Sequence, residues 1–116
     1  MPNPVSKNDL KVYRGDTFHY EVLWRDEAGD PIDITGSSAK LQIRINHRSE
    51  DAILTLTDGD GLTINGANGQ VDIDMTAEQT EIETLDNVYD LELVLANGDV
   101  VTLMQGKLTI YEDVTR

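Results

Sequence analysis

The chain has 116 residues, enough for one domain with a sizeable core. It contains no cysteine, which excludes disulfides and thiolate ligands, and no apolar run long enough to read as a membrane-spanning helix. Its net charge of −13 argues against nucleic-acid binding, because an acidic surface repels phosphate.

The charge is unevenly placed. Between Arg48 and Lys107 there is no Lys or Arg, while thirteen Asp and Glu fall in that interval; the remainder carries nine of each sign. The imbalance therefore lies in one contiguous half. Such a half suits a basic partner surface or Ca²⁺, or serves solubility alone.

The opening Met1-Pro2-Asn3-Pro4 lacks the basic and apolar regions of a signal peptide, and residues 1–7 are expected to be a flexible tail ahead of a single domain over 8–116. Leu10 and Val12 alternate with Lys11 and Tyr13 in a first short strand. Arg14-Gly15-Asp16 turns the chain. Phe18, Tyr20, Val22 and Trp24 then share one strand face, with His19, Glu21 and Arg25 opposite. Residues 26–31 are a connecting loop by composition, and Ile32-Asp33-Ile34 follows.

Ala39, Leu41, Ile43 and Ile45 alternate with polar residues in the cleanest strand of the sequence. Residues 47–51 are polar and read as a loop. A strand over 53–57 leads to the Asp58-Gly59-Asp60-Gly61 turn. Leu62 and Ile64 form the next strand, and Val71, Ile73 and Met75 the one after it, with Asp72 and Asp74 outward. Thr76 and Gln79 have capping-box spacing, so one short helix is expected near 77–83, with Leu85 anchoring the following segment in the core. Residues 88–96 and 99–110 read as two strands of a hairpin around Asn97-Gly98, a pair suited to a type I′ turn. Gly106 interrupts the last strand as a bulge does.

This pattern predicts an all-β fold, an immunoglobulin-like two-sheet β-sandwich of about seven or eight strands. Trp24 is its natural core centre. Tyr89 is placed either as a tyrosine corner or as an ordinary half-buried strand residue.

Candidate chemistry is sparse. Arg14-Gly15-Asp16 spells an integrin-recognition tripeptide, but it falls where a turn is needed. Asp58-Gly59-Asp60-Gly61 suggests Ca²⁺, yet Leu62, Thr63 and Gly69 occupy positions where an EF-hand loop needs a ligand, its glycine and its closing Glu. Asp72 and Asp74 are spaced to hold a cation or simply to be solvated. His19 and His47 lie on different elements without zinc-ligand spacing. No nucleophile elbow or phosphate-binding loop is present. The expectation is a non-enzyme with no catalytic, cofactor-binding or metal residues and no cofactor.

One resemblance extends this reading. Val12-Tyr13-Arg14-Gly15-Asp16-Thr17-Phe18, then Trp24-Arg25-Asp26, Gly29-Asp30-Pro31-Ile32-Asp33-Ile34-Thr35-Gly36 and Ala39-Lys40-Leu41-Gln42-Ile43-Arg44, resemble the opening of small structural proteins of tailed bacteriophages and prophages. Gly69-Gln70-Val71-Asp72-Ile73, Thr76-Ala77-Glu78-Gln79-Thr80, Val88-Tyr89-Asp90-Leu91-Glu92-Leu93, the segment Leu103-Met104-Gln105-Gly106-Lys107-Leu108-Thr109-Ile110 and the final Val114-Thr115-Arg116 are similar too. The opening also resembles the N-terminal immunoglobulin-like domain of upper-baseplate proteins, which continue into a further region where this chain stops.

The resemblance implies a virion component of tail, baseplate or neck, made in the bacterial host cytoplasm. It would bind other virion proteins and perform no catalysis; the acidic half suits a basic patch on those partners, and the charge and the lack of a long apolar run leave nucleic acid and membrane out. Homo-oligomerisation in a symmetric ring is compatible with it. The alternatives are a head-decoration protein, or an adhesion module binding carbohydrate through exposed aromatics drawn from Trp24, Tyr13, Tyr20, Tyr89 and Tyr111, or binding Ca²⁺.

Overall fold

Period two governs almost every ordered segment. The computed structural model describes residues 6–46 and 48–112. Among them are nine strands: β1 (Ser6–Lys7), β2 (Leu10–Tyr13), β3 (Phe18–Leu23), β4 (Ser38–Arg44), β5 (Leu54–Asp58), β6 (Gly61–Asn65), β7 (Gln70–Met75), β8 (Asp86–Val94) and β9 (Val100–Tyr111). A single 3₁₀ turn covers Gly66–Asn68. In β4 the alternation buries Ala39, Leu41 and Ile43 and leaves Ser38 and Lys40 outside. In β8 it buries Tyr89, Leu91 and Leu93 and turns Asp90 and Glu92 outward.

The strands form two layers. Antiparallel β3, β7 and β6 make one. Antiparallel β5, β4, β8 and β9 make the other, with β1 and β2 running parallel along the far edge of β9. The chain passes between layers at the β5–β6 turn, where the bridge pairs Thr57–Gly61 and Asp58–Leu62 close the seam. Inward residues from both layers share one core: Trp24, Ile43, Leu56, Val71, Ile73, Leu91 and Ile110 all belong to it. Each fully buried aliphatic side chain contributes about 1.5–3 kcal/mol relative to exposure.

This is an immunoglobulin-like β-sandwich. In that fold's lettering β3, β7 and β6 are B, E and D, while β4, β8 and β9 are C, F and G. One departure matters for function. Strand A of the constant-type fold lies beside B. Here the N-terminal strands lie beside β9 instead, so β3 is the outer edge of its layer among the described residues.

Several sequence expectations are corrected. Ser6 and Lys7, assigned to a tail, pair with Met104 and Gln105; residues 1–5 lie outside the described residues, as do His47 and the terminal Val114-Thr115-Arg116. The helix expected near 77–83 is a single turn. The capping box forms, with Thr76 N–H donating to Gln79 Oε1 (2.9 Å) and Gln79 N–H to Thr76 Oγ1 (3.1 Å). Propagation then fails because other partners hold the chain. Thr80 Oγ1 accepts Gly15 N–H (2.9 Å) and shares its proton between Asp16 O (2.8 Å) and Ala77 O (2.9 Å). Arg14 takes the Ile82 and Glu83 carbonyls. Ile82, 5% exposed, fills the core there, whereas Leu85 is 47% exposed.

The last hairpin is not type I′, which needs positive φ at both central residues. Among the described residues only glycines have positive φ, so Asn97 does not meet that condition. Gly98 N–H donates to Leu95 O and Leu95 N–H to Asp99 O, both at 2.8 Å, which closes a three-residue loop with Gly98 at φ +93°. The bulge of β9 is not at Gly106, which pairs regularly with Tyr89. It lies at Leu103, the residue skipped as the register shifts, and there Leu103 and Met104 are both buried in succession.

Tyr89 is buried, and its hydroxyl donates to Asn8 O, a bond that reaches the N-terminal segment and not the turn before β8. Burial, then the neighbouring Tyr20 and Asp9, push its phenol far above the ordinary range.

Candidate functional site

The most organised polar cluster lies on the outer face of the β3–β7–β6 layer. Alternation in β3 sends Val22 and Trp24 inward and His19, Glu21 and Leu23 outward. Alternation in β7 buries Val71, Ile73 and Met75 and turns Gln70, Asp72 and Asp74 out. The antiparallel register then sets His19 opposite Asp74, Glu21 opposite Asp72 and Leu23 opposite Gln70. Cross-strand neighbours on one face are close enough to interact directly.

His19 sits between two carboxylates. Its Nδ1 is 2.6 Å from Asp74 Oδ1 and its Nε2 is 3.7 Å from Glu21 Oε1. The hydrogen bond to Asp74 raises its pKa above the ordinary 6.5, against a smaller lowering by desolvation. Asp72 is tied into a polar row along the same face. Gln70 Nε2 donates to it (2.7 Å), Asn68 Nδ2 donates to Gln70 Oε1 (2.6 Å), and Arg25 Nη1 donates to Asn68 O (2.5 Å).

The chemistry available here is attraction of a positive group. His19, Glu21 and Asp72 can bring ligand atoms within 4.8 Å of one another, a spacing open to a metal ion. Binding one through His19 requires that the ring lose its proton and a nitrogen lone pair face the ion. A Lys or Arg side chain would make no such demand on the ring and could pair with Glu21 and Asp72 directly.

The other sequence candidates have local uses. Arg14 Nε and Nη2 donate to Ile82 O (3.1 and 2.9 Å), and Nη1 lies 3.1 Å from Glu112 Oε1, so the Arg-Gly-Asp tripeptide ties a turn to the following segments. Asp58 Oδ1 accepts Ala39 N–H (3.0 Å), which draws that carboxylate away from a Ca²⁺ loop. Trp24 is core. Tyr13 and Tyr111 are not: they are 55% and 39% exposed, with ring centroids 5.6 Å apart and planes tilted by 37°.

Sequence reasoning found Asp72 and Asp74 but left His19 apart from them. Its strand face was legible from period two; the pairing of β3 with β7, which completes the cluster, was not.

No protein-family model matches the chain, and no curated protein sequence does either. Among solved structures it is similar to Drosophila OTK, extracellular domains 3-5, at 15% identity and a TM-score of 0.37, covering 96% of this chain and 34% of that one. The chain thus spans about a third of that neighbour, and a likeness so distant carries no argument about function.

Proposed function

We propose that the chain is a non-catalytic structural protein of a tailed phage or prophage particle, placed in tail, baseplate or neck, and that it works by binding other virion proteins. The virion assignment rests on the ordered resemblance from Leu10 to the C-terminus. The single geometric observation that supports binding is the outer face of the β3–β7–β6 layer. Glu21, Asp72 and Asp74 stand together there around His19 as a solvent-facing acidic patch, two of whose carboxylates, Asp72 and Asp74, come from the stretch that holds no Lys or Arg. A neighbour with a basic patch would gain encounter rate and register from it. Repetition around a symmetric ring would multiply each such contact.

The test is co-elution with the purified virion proteins encoded beside it. A complex that weakens steadily with salt is expected; no complex with any of them contradicts the proposal, and salt-insensitive assembly removes its electrostatic part. Head decoration differs only in the particle site occupied. A carbohydrate-binding reading has one observation in its favour, the exposed Tyr13–Tyr111 pair. Binding on a glycan panel that Tyr13→Ala abolishes would establish it, and a blank panel would remove it.

A further inference from the structure

We infer that the free edge of β3 is a docking groove for an extended segment of a partner protein in which basic and aliphatic residues alternate. The inference rests on the protein-binding reading above and adds the place and the chemistry of the partner.

Among the described residues the edge is open by topology. β3 pairs with β7 on one side, and no strand borders its other side among the described residues. Trp24 N–H donates to Gly69 O (2.8 Å), so even-numbered residues of this segment direct their backbone groups toward β7. Antiparallel alternation then points the N–H and C=O of His19, Glu21 and Leu23 at the free side. Natural edges are commonly blunted by proline, lysine or a bulge. β3 has none of these: its sequence is Phe-His-Tyr-Glu-Val-Leu and its register against β7 is unbroken.

A cleft runs beside this edge. Tyr20, Val22 and Trp24 line one wall and Asn8, Leu103 and Met104 the other, around a volume of about 190 Å³. It occupies the flank that strand A would cover in the constant-type fold. A strand added to β3 would present its side chains alternately to two environments. Those facing inward would enter the cleft, where aliphatic side chains fit. Those facing outward would lie next to His19, Glu21 and Leu23, with Asp72 and Asp74 one strand further on.

Charge selects the occupant. The outward side chains of the incoming strand meet Glu21 directly, with Asp72 and Asp74 behind it on β7, so Lys or Arg is favoured opposite Glu21. A second copy of this chain pairing antiparallel through β3 with Glu21 opposite Glu21 would set like charges against each other, and cross-strand like charges are destabilising. The arrangement thus disfavours self-association while leaving the edge available to a basic partner.

The probe is a synthetic peptide alternating lysine and valine, added to the full chain. Trp24 is the single tryptophan and lines the cleft, so its fluorescence reports occupancy. Binding is expected, with the amide signals of His19, Glu21 and Leu23 shifting and their hydrogen exchange slowing. A peptide alternating glutamate and valine should not bind, nor should the lysine–valine peptide methylated on alternate backbone nitrogens in the frame that faces the edge. Glu21→Lys should weaken binding about tenfold, since an attraction becomes a repulsion. Leu23→Pro removes an edge-facing N–H at a site where proline is tolerated, and should weaken binding without unfolding the domain.

Failure of the lysine–valine peptide to bind, equal binding of the acidic peptide, or signal changes confined to other strands would overturn the inference. So would amides of His19, Glu21 and Leu23 already protected in the free chain, whether by its own residues or by a second copy. If the peptide fails while the chain still complexes a purified virion protein, the groove is refuted and the protein-binding reading stands. If both fail, both are refuted.

Discussion

Gly106 illustrates how a residue's necessity can lie far away in sequence. A Cβ at this position would press into the Asn8 carbonyl, where the N-terminal segment crosses β9. Gly106→Ala is therefore expected to destabilise the domain by about 1–3 kcal/mol, read from chemical denaturation, and to expose the 6–13 segment to proteolysis. The glycine was visible in the sequence, but its reason was not, because the partner is remote and the strand itself is regular there. His19 has the same character. Its alternating position marked it as outward, while the Asp74 bond that raises its pKa depends on strand pairing.

The sign of that shift fixes its pH dependence. A histidine whose folded pKa lies above 6.5 contributes stability fully below pH 6.5, and the contribution disappears as pH rises through the folded value. Asp74→Asn should move the NMR titration midpoint of His19 downward, toward its ordinary value. An unchanged midpoint would show that the Asp74 contact is not what holds the proton.

Strands were legible because each buries one face, and burial imposes period two regardless of neighbours. Turns and the one expected helix were less so. Thr76 and Gln79 carry a true capping box, and the box forms, yet a local signal cannot sustain a helix when Thr80 and the Ile82 carbonyl are claimed by the 14–16 turn. The same competition swaps the expected anchor: Ile82 goes in and Leu85 stays out. Thr80, fully buried, joins two segments through one hydroxyl. Thr80→Val keeps the shape and leaves those backbone groups unpaired, so a loss of about 1–3 kcal/mol in unfolding free energy is expected. A loss below a few tenths would mean that the hydroxyl is dispensable. In β4, Ile43→Ala is expected to cost about 2–5 kcal/mol, because its site is enclosed by both layers.

Taken as a molecule, the domain turns a lopsided charge into a located one. The sequence showed that residues 49–106 contain no Lys or Arg. It could not show that Glu21 of an early strand joins Asp72 of a later one, nor that the N-terminal strands lie beside β9 and leave β3 at an edge. Two-layer architecture follows from pattern; layer membership follows from long-range pairing, which pattern does not encode. Salt should accordingly weaken partner binding more than it alters the stability of the isolated domain, since the core is apolar and the patch is solvent-exposed. Comparing denaturation midpoints and partner affinity across one salt series checks this, and equal sensitivity of both would speak against a binding role for the patch.

The proposed virion role is tested most directly by quantitative mass spectrometry, with cross-linking, on purified phage or prophage particles from the bacterium that carries the gene. A fixed copy number per particle is expected, with the 18–23 strand or the 70–75 strand in contact with a basic segment of a neighbouring virion protein. Complete absence of the chain from intact particles would contradict a structural role in the virion.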